Sequence, residues 1–329
     1  MVAPPQRSNQ QEQLRTRVEC RLLSIVIPVY NEEDVIPYLR ENLERWLTTL
    51  RCPREIILVD DGSHDRSWSL LAEWAAADKT VKLLSLSKNF GHQAAVTAGL
   101  DAANGDAIVI TDADLQDPLE TIDAMLAKYL EGYDIIYAQR EKRLGETRFK
   151  RFTAWLFYRL MKTLVHRDLP ADTGDFRMVS RRALDAMLRM RETQRFLRGM
   201  FAWIGFHQTA VRYVRQPRKH GVSKYPLSKM LRFALDAALS FSTIPMKLMS
   251  IAGFLIALFG LVYGGYAVLR WLVWHDTVQG WATLIVLLAL IGGMILIGLG
   301  VVGEYVGRVY EEVKCRPIYV IRDRVNFDG

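Results

Sequence analysis

Up to about residue 215 the hydrophobic residues of this chain fall in short blocks of five to eight, each closed by polar residues. Leu22 to Val29 (LLSIVIPV) is the first, and a helical pattern reaching Leu50 follows it. Glu55 to Val59 (EIILV), Val81 to Leu86, Asp106 to Thr111 (DAIVIT) and Asp134 to Ala138 (DIIYA) come next, with room for a helix between them. Apolar, β-branched runs of this length are signals of buried strands. Their alternation with helices of about ten to eighteen residues predicts an α/β fold with a mostly parallel, doubly wound sheet. The pattern then changes. No charged residue occurs from Ser250 to Leu269 or from Trp281 to Val302, and both runs are apolar on every face. At about 1.5 Å per residue each is long enough for a hydrocarbon core of about 30 Å, which predicts a two-helix transmembrane hairpin.

Charge sharpens this division. Lys224, Lys229, Arg232 and Lys247 precede the first span, and Arg308, Lys314, Arg316, Arg322 and Arg324 follow the second. The connection from Arg270 to Gly280 holds one Arg and one Asp, so the positive-inside rule puts the α/β part and both flanks in the cytoplasm, at the inner membrane. The net charge of +7 admits nucleic acid, anionic lipid or phosphorylated compounds as partners. Between Arg140 and Arg167 the basic residues interleave with Phe149, Phe152, Trp155, Phe157 and Leu160 at helical spacing, which suits an interfacial membrane helix better than nucleic acid. Residues 226–245 read as a second, juxtamembrane helix. Cys20, Cys52 and Cys315 are far apart and odd in number, which argues against a zinc site or disulfide framework and fits a reducing compartment. The first twenty residues are polar and lack the apolar core of a signal peptide, so they read as a loose tail.

Candidate chemistry gathers at strand ends. Asp112-Ala113-Asp114-Leu115-Gln116-Asp117-Pro118 follows the fourth strand, where open α/β sheets bind ligands. Two hard carboxylates at that spacing suit Mg²⁺ or Mn²⁺, and such an ion suits a diphosphate. Asp60-Asp61-Gly62-Ser63 closes the second strand on the same edge. It can bind a ribose or base, or it can be an Asp-Gly turn with Ser63 or Asp65 as a helix cap. Asp172-Thr173-Gly174-Asp175-Phe176-Arg177 reads as a turn before a short strand. Around Gly221, five basic residues with Ser223 can converge on a phosphate.

Taken in order and spacing, V-I-P-V-Y-N-E-E, D-D-G-S, N-F-G and D-A-D-L-Q-D-P resemble the family 2 glycosyltransferases of GT-A fold. More narrowly they resemble the polyprenyl-phosphate glycosyltransferases, relatives of dolichol-phosphate mannose synthase, and among these the bactoprenol glucosyl transferases. The likeness extends to G-E-Y-V-G-R after the second span. It implies a metal held by Asp112, Asp114 and Gln116, and a nucleoside held by Pro28, Glu32, Asp60 or Asp61, with Asp112 beside it. It implies a donor diphosphate covered by Arg218, Ser223 and Lys224, and an acceptor phosphate met by Arg140 and by Arg148 or Arg151. Asp175 is the implied acceptor-side carboxylate. A lipid monophosphate has a second pKa of about 6 and is largely a dianion at neutral pH, so general base and orienting group both stand open for Asp175.

The expected organisation is a tail (1–20), a GT-A catalytic domain (21–215), a donor-covering loop with an interfacial helix (216–245), the hairpin (246–305) and a cytosolic tail (306–329). The expected activity is single, inverting, metal-dependent transfer of a hexose, glucose from UDP-glucose, to polyprenyl phosphate at the cytoplasmic face. Other sugars (mannose, an aminoarabinose derivative, an N-acetylhexosamine) keep the same chemistry. A haloacid-dehalogenase-like phosphatase would carry its D-x-D on the first strand, and a channel subunit would need a polar face that neither span has. Gly292-Gly293, Gly298 and Gly300 allow close helix packing in a homo-oligomer such as a tetramer.

Overall fold

A computed structural model describes residues 19–140, 173–214, 244–274 and 280–327. The expected basic helix with Arg148 and Arg151, the loop with Arg218, Ser223 and Lys224, and the juxtamembrane helix lie outside the described residues. The chain divides into two compact units, one reaching Pro226 and resuming at Pro317, the other Leu227–Arg316.

The first unit is built on one eight-stranded sheet. Its parallel half is β1 (Leu23–Val29), β2 (Arg54–Asp60), β3 (Val81–Leu86) and β4 (Ala107–Ile110), in the order β3-β2-β1-β4. The fifth predicted strand, β5 (Ile135–Arg140), is not beside β4. Between them runs β6 (Thr173–Ser180), antiparallel to both, and β7 (Gln208–Tyr213) lies parallel outside β5. The expected turn at Gly174-Asp175 is therefore the first part of a strand. Its residues 173–176 lack an unbroken apolar run, and they extend because β5 offers its edge from Gln139 back to Ile135. The segment expected as a cytosolic tail carries β8 (Ile321–Val325), which pairs antiparallel with β3 and closes the other edge. Its I-R-D-R-V sequence gives one apolar residue at each end, a weak signal that the open edge of β3 completes.

Alternation along the strands separates two cores. Leu23, Ile25, Ile27 and Val29 face α1 (Ile36–Leu47), α2 (Ser67–Ala77) and α4 (Glu120–Leu130). Val26, Ile57, Val59 and Leu84 face α3 (His92–Ala102), α5 (Arg181–Leu188) and α6 (Leu197–Trp203). Both faces of the sheet are thus covered, which is why its central strands read as continuous apolar runs. The second unit holds α7 (Ile244–Trp274) and α8 (Trp281–Val313). Met249–Arg270 and Leu290–Val313, with mean hydropathies of 2.0 and 1.8, are long and apolar enough to cross a membrane, and neither window is buried.

Candidate active site

Strand order decides where the cleft forms. β1 leads through α1 to β2 on one side, whereas β3 leads through α3 to β4 on the other, so the winding reverses between β1 and β4. Ligands of open α/β sheets bind at such a reversal, beyond the carboxyl ends of the strands. The β1–β4 ladder ends at Val26–Ile110, with Thr111 N donating to Val26 O at 3.1 Å. Pro28 lies past that end, which is how a central strand tolerates a residue without an N–H.

Beyond β4 the chain turns at Leu115, whose φ of 53° is unfavourable for a leucine, and Gln116 N donates to Asp114 Oδ1 at 3.1 Å. Strained backbone of this kind is held in place by its surroundings. Asp112 is pushed up to about 6, first by burial and then by Asp175, Asp114 and Asp117, with His92 opposing. Asp112 is therefore crowded by like charge. Among the described residues no three His, Cys, Asp or Glu side chains form a ready metal cage. Asp112 and Asp114 nevertheless fit Mg²⁺ or Mn²⁺, because such ions commonly take one or two carboxylates and complete their shell with substrate phosphate and water.

The antiparallel register brings Asp175 to the same place. Ile110 pairs with Arg177, so Asp112, two residues after Ile110, and Asp175, two residues before Arg177, reach one edge. Asp175 is clamped there: Arg198 Nε donates to Oδ1 at 2.8 Å and its Nη2 to Oδ2 at 3.3 Å, and Gln93 Nε2 donates to Oδ2 at 3.2 Å. His92 Nε2 lies 3.4 Å from Asp175 and 3.7 Å from Asp112, bridging the two carboxylates. Burial alone would raise Asp175, but Arg198 and the His92 hydrogen bond outweigh it and hold the carboxyl well below the usual range. Burial and Arg198 would lower His92, but Asp175 and Asp112 outweigh them and raise it. Arg177, buried over the Phe201 ring, is pushed down to about 10 by burial and ties the strand by donating to Gly174 O at 3.0 Å. A side chain at Gly174 would meet Arg140 Nη2 at 3.2 Å, so glycine lets Arg140 lie against β6. Arg140 Nε donates to Tyr213 Oη at 3.2 Å, and Tyr213 in turn donates to Asp117.

The D-D-G-S turn is used differently from the D-x-D. Asp60 and Asp61 are both buried. Asp60 accepts from Ser63 N (3.1 Å) and Ser85 Oγ (3.2 Å), and Asp61 from Phe90 N (2.8 Å) and Gly91 N (2.9 Å). They fasten the loops that frame the cleft. Gly62, at a φ of 68°, lets those loops meet, since a Cβ there would lie 2.5 Å from the Lys88 carbonyl carbon. Asn31 and Glu32 join the frame by donating from their backbone N–H groups to Ser63 Oγ (3.0 Å) and Ser67 Oγ (2.9 Å). Arg322 of β8 reaches the same network, donating from Nη2 to Ser85 Oγ at 2.9 Å. A cavity of about 550 Å³ opens between α1 and the loop before α4, lined by Tyr38, Trp46, Asp114, Leu115 and Asp117. It touches neither Asp112 nor Asp175, so it is a side pocket of the cleft.

The structure thus brings Asp112, Asp114, Asp175 and Arg140 to one edge, with Pro28, Glu32, Asp60 and Asp61 in the strand and loops framing it. Sequence reasoning missed His92, Gln93, Arg198 and Tyr213. The first two directly follow the N-F-G motif, a signal that could have found them. Arg198 and Tyr213 carry no local signal, because their contacts come from elements 23 and 96 positions away in the chain.

Comparison with known proteins gives the family. The profile described as Glycosyl transferase family 2 matches residues 24–188, and that of the GtrB C-terminal hairpin matches residues 244–309. The glycosyltransferase YkcC of Bacillus subtilis (strain 168) is 48% identical, covering 91% of this chain and 93% of that protein. The SfII prophage-derived bactoprenol glucosyl transferase of Shigella flexneri is 37% identical, covering 91% and 97%. Among solved structures, mannosyl-3-phosphoglycerate synthase of Rubrobacter xylanophilus aligns with a TM-score of 0.46 at 18% identity, over 67% of this chain and 72% of that one. The chain belongs to glycosyl transferase family 2, and its sheet is the mixed α/β sheet of GT-A type.

Proposed function

We propose that this family 2 glycosyltransferase is membrane-anchored and metal-dependent, and transfers glucose from UDP-glucose to a polyprenyl phosphate at the cytoplasmic face, inverting the anomeric carbon. One observation carries the reading: two halves of opposite need meet at one sheet edge. Asp112 and Asp114 form a charge-crowded half suited to a cation and a diphosphate. Asp175, Arg198 and Arg140 form a half suited to a phosphate acceptor. The bactoprenol glucosyl transferases among the relatives support the acceptor and the sugar. The hairpin match and the two apolar helices support the anchor. The basic flanks support the cytoplasmic face, and the helix glycines support a homo-oligomer.

In this reading Asp112 and Asp114, with Gln116 beside them, hold Mg²⁺ or Mn²⁺, which when bound supplies positive charge to the departing diphosphate. Pro28 and Glu32 line the nucleoside edge, while Asp60 and Asp61 keep its loops in place. Arg218, Ser223 and Lys224 cover the diphosphate, and Arg140 with Arg148 or Arg151 receives the acceptor phosphate. An acceptor oxygen forms the new bond to the anomeric carbon as the bond to the diphosphate breaks. Asp175 orients Arg198 and takes no proton. A carboxylate held this far below its usual range is a weak base, and the acceptor arrives mostly deprotonated.

The test is to offer the purified protein UDP- and GDP-sugars with a short polyprenyl phosphate, with Mg²⁺, with Mn²⁺ and with chelator. Glucosyl lipid formed from UDP-glucose only when metal is present is the expected result. Equal turnover in chelator removes the metal from the reading, and preference for another nucleotide sugar removes glucose.

A further inference from the structure

The end of the sheet opposite the cleft holds a pair of groups that sugar transfer does not use. Cys20 lies just before β1 and Cys52 just before β2. Those strands run parallel with Leu23 facing Arg54, so their starting ends are neighbours although the cysteines are distant in the chain. Cys52 Sγ lies 2.9 Å from Cys20 Sγ and donates to the Cys20 carbonyl at 3.0 Å. Both thiols are free, half-buried and packed against the core. The backbone that carries them is fastened. Arg21 N and Leu22 N donate to Asp106 Oδ2 at 3.0 and 3.1 Å, and Leu23 N to Pro53 O at 2.9 Å. No third His, Cys, Asp or Glu joins the pair as a metal ligand among the described residues.

We propose that Cys20 and Cys52 form a redox-modification site, which exchanges with a glutathione-type disulfide to give an intramolecular Cys20–Cys52 cross-link. A disulfide has an S–S distance of about 2.05 Å, so closure needs the sulfurs to approach by less than about 1 Å. Neighbouring strands lie about 4.8 Å apart, inside the Cα separations of about 4.4–6.8 Å that disulfides span. In the first step one cysteine thiolate attacks a sulfur of the oxidised glutathione and expels one glutathione thiolate. In the second, the other cysteine attacks the protein-side sulfur of that mixed disulfide and expels the second glutathione. Two electrons and two protons leave the cysteine pair, and one disulfide becomes two thiols. Burial, and then the neighbouring Cys52, push the Cys20 thiol up, so attack by Cys20 is slow. The link joins positions 20 and 52 far from Asp112 and Asp175, so it constrains the unfolded chain and leaves transfer alone.

The experiment equilibrates the intact detergent-solubilised protein with oxidised or reduced glutathione, alkylates it after denaturation and maps the peptides. After oxidation a linked Cys20–Cys52 peptide is expected, two hydrogens lighter than the two reduced peptides together, while the exposed Cys315 stays outside it as a free thiol or a glutathione adduct. The oxidised protein is expected to melt about 5–10 °C higher than the reduced one, with unchanged transfer, and Cys52→Ser is expected to abolish the rise. Cys20 and Cys52 both alkylatable at oxidising equilibrium overturn the proposal. So do glutathione adducts that stop at Cys20 or Cys52, or a cross-linked form that melts lower. The peptide map of the unmutated chain decides the matter even if Cys52→Ser fails to fold.

Discussion

Glu55 at the starting end of the sheet and Asp112 at its carboxyl end meet opposite surroundings. At the starting ends of the strands Glu55 is enclosed by Ser24 Oγ (2.5 Å), Asn104 N (2.6 Å) and Lys82 Nζ (2.8 Å). Burial would raise its pKa, but those donors outweigh burial and lower it. Asp134 is closed off in the same way by Ser180 Oγ at 2.7 Å and by Arg182 Nη2 at 2.7 Å. At the carboxyl ends Asp112 is pushed up to about 6, with Asp175, Asp114 and Asp117 as near neighbours and His92 in opposition. A buried carboxylate supplied with donors is held in its charged form and in place. One crowded by like charge raises the local free energy until a cation or a cationic side chain arrives. In the proposed function the difference separates Glu55, which holds the fold, from Asp112, which holds a ligand.

The contrast can be broken most sharply at Asp112. Asp112→Asn is expected to lower transfer by about 10²–10³-fold, while the melting temperature stays level or rises because one crowded charge is gone. Turnover and thermal unfolding on one preparation check both halves, and a clear loss of stability would place Asp112 with Glu55.

A somewhat smaller loss is expected at the Asp175–Arg198 clamp. Arg198→Ala and Asp175→Asn should each cost about 10²-fold in transfer, expressed in kcat/KM for the acceptor, with nucleotide binding retained. The pH–rate profile of Asp175→Asn keeps its shape if Asp175 orients. Loss of one ionisation from that profile would make it the base.

Glu55→Gln tests the other end of the sheet. It should cost about 1–3 kcal/mol of stability at pH 7 and leave transfer per folded molecule unchanged. Because the folded pKa lies below the ordinary 4.5, Glu55 stabilises above that value and loses its contribution as pH falls through the folded one. The gap between wild type and variant in denaturant titrations should therefore narrow as the pH falls below 4.5.

The smallest effect is expected where β8 meets the cleft frame. Removing the Arg322–Ser85 hydrogen bond in Arg322→Ala should raise the donor KM about 2–5-fold and leave the acceptor KM unchanged, since Ser85 supports Asp60. Equal changes in both constants would make β8 a general stabiliser of the edge.

Much of this was legible in the chain because it depends on local pattern. Five apolar blocks with helical spacers dictate a sheet covered on both faces, and an acidic pair directly after such a block must lie at its carboxyl end. Two uncharged runs of twenty residues or more dictate helices with no polar face to bury. The sequence determined those elements and the edge where Asp112 and Asp114 lie, because strand direction and side-chain period are local properties. Pairing is not local. That β6 lies antiparallel between β4 and β5, and so carries Asp175 to Asp112, follows from which edges were left open once the parallel half had formed. That β8 returns to β3, that Cys20 meets Cys52, and that Arg198 reaches Asp175 follow in the same way. Segments far apart in the chain become neighbours only when burying the two apolar faces of the sheet outweighs the entropy of closing the loops between them, and no local pattern records that choice.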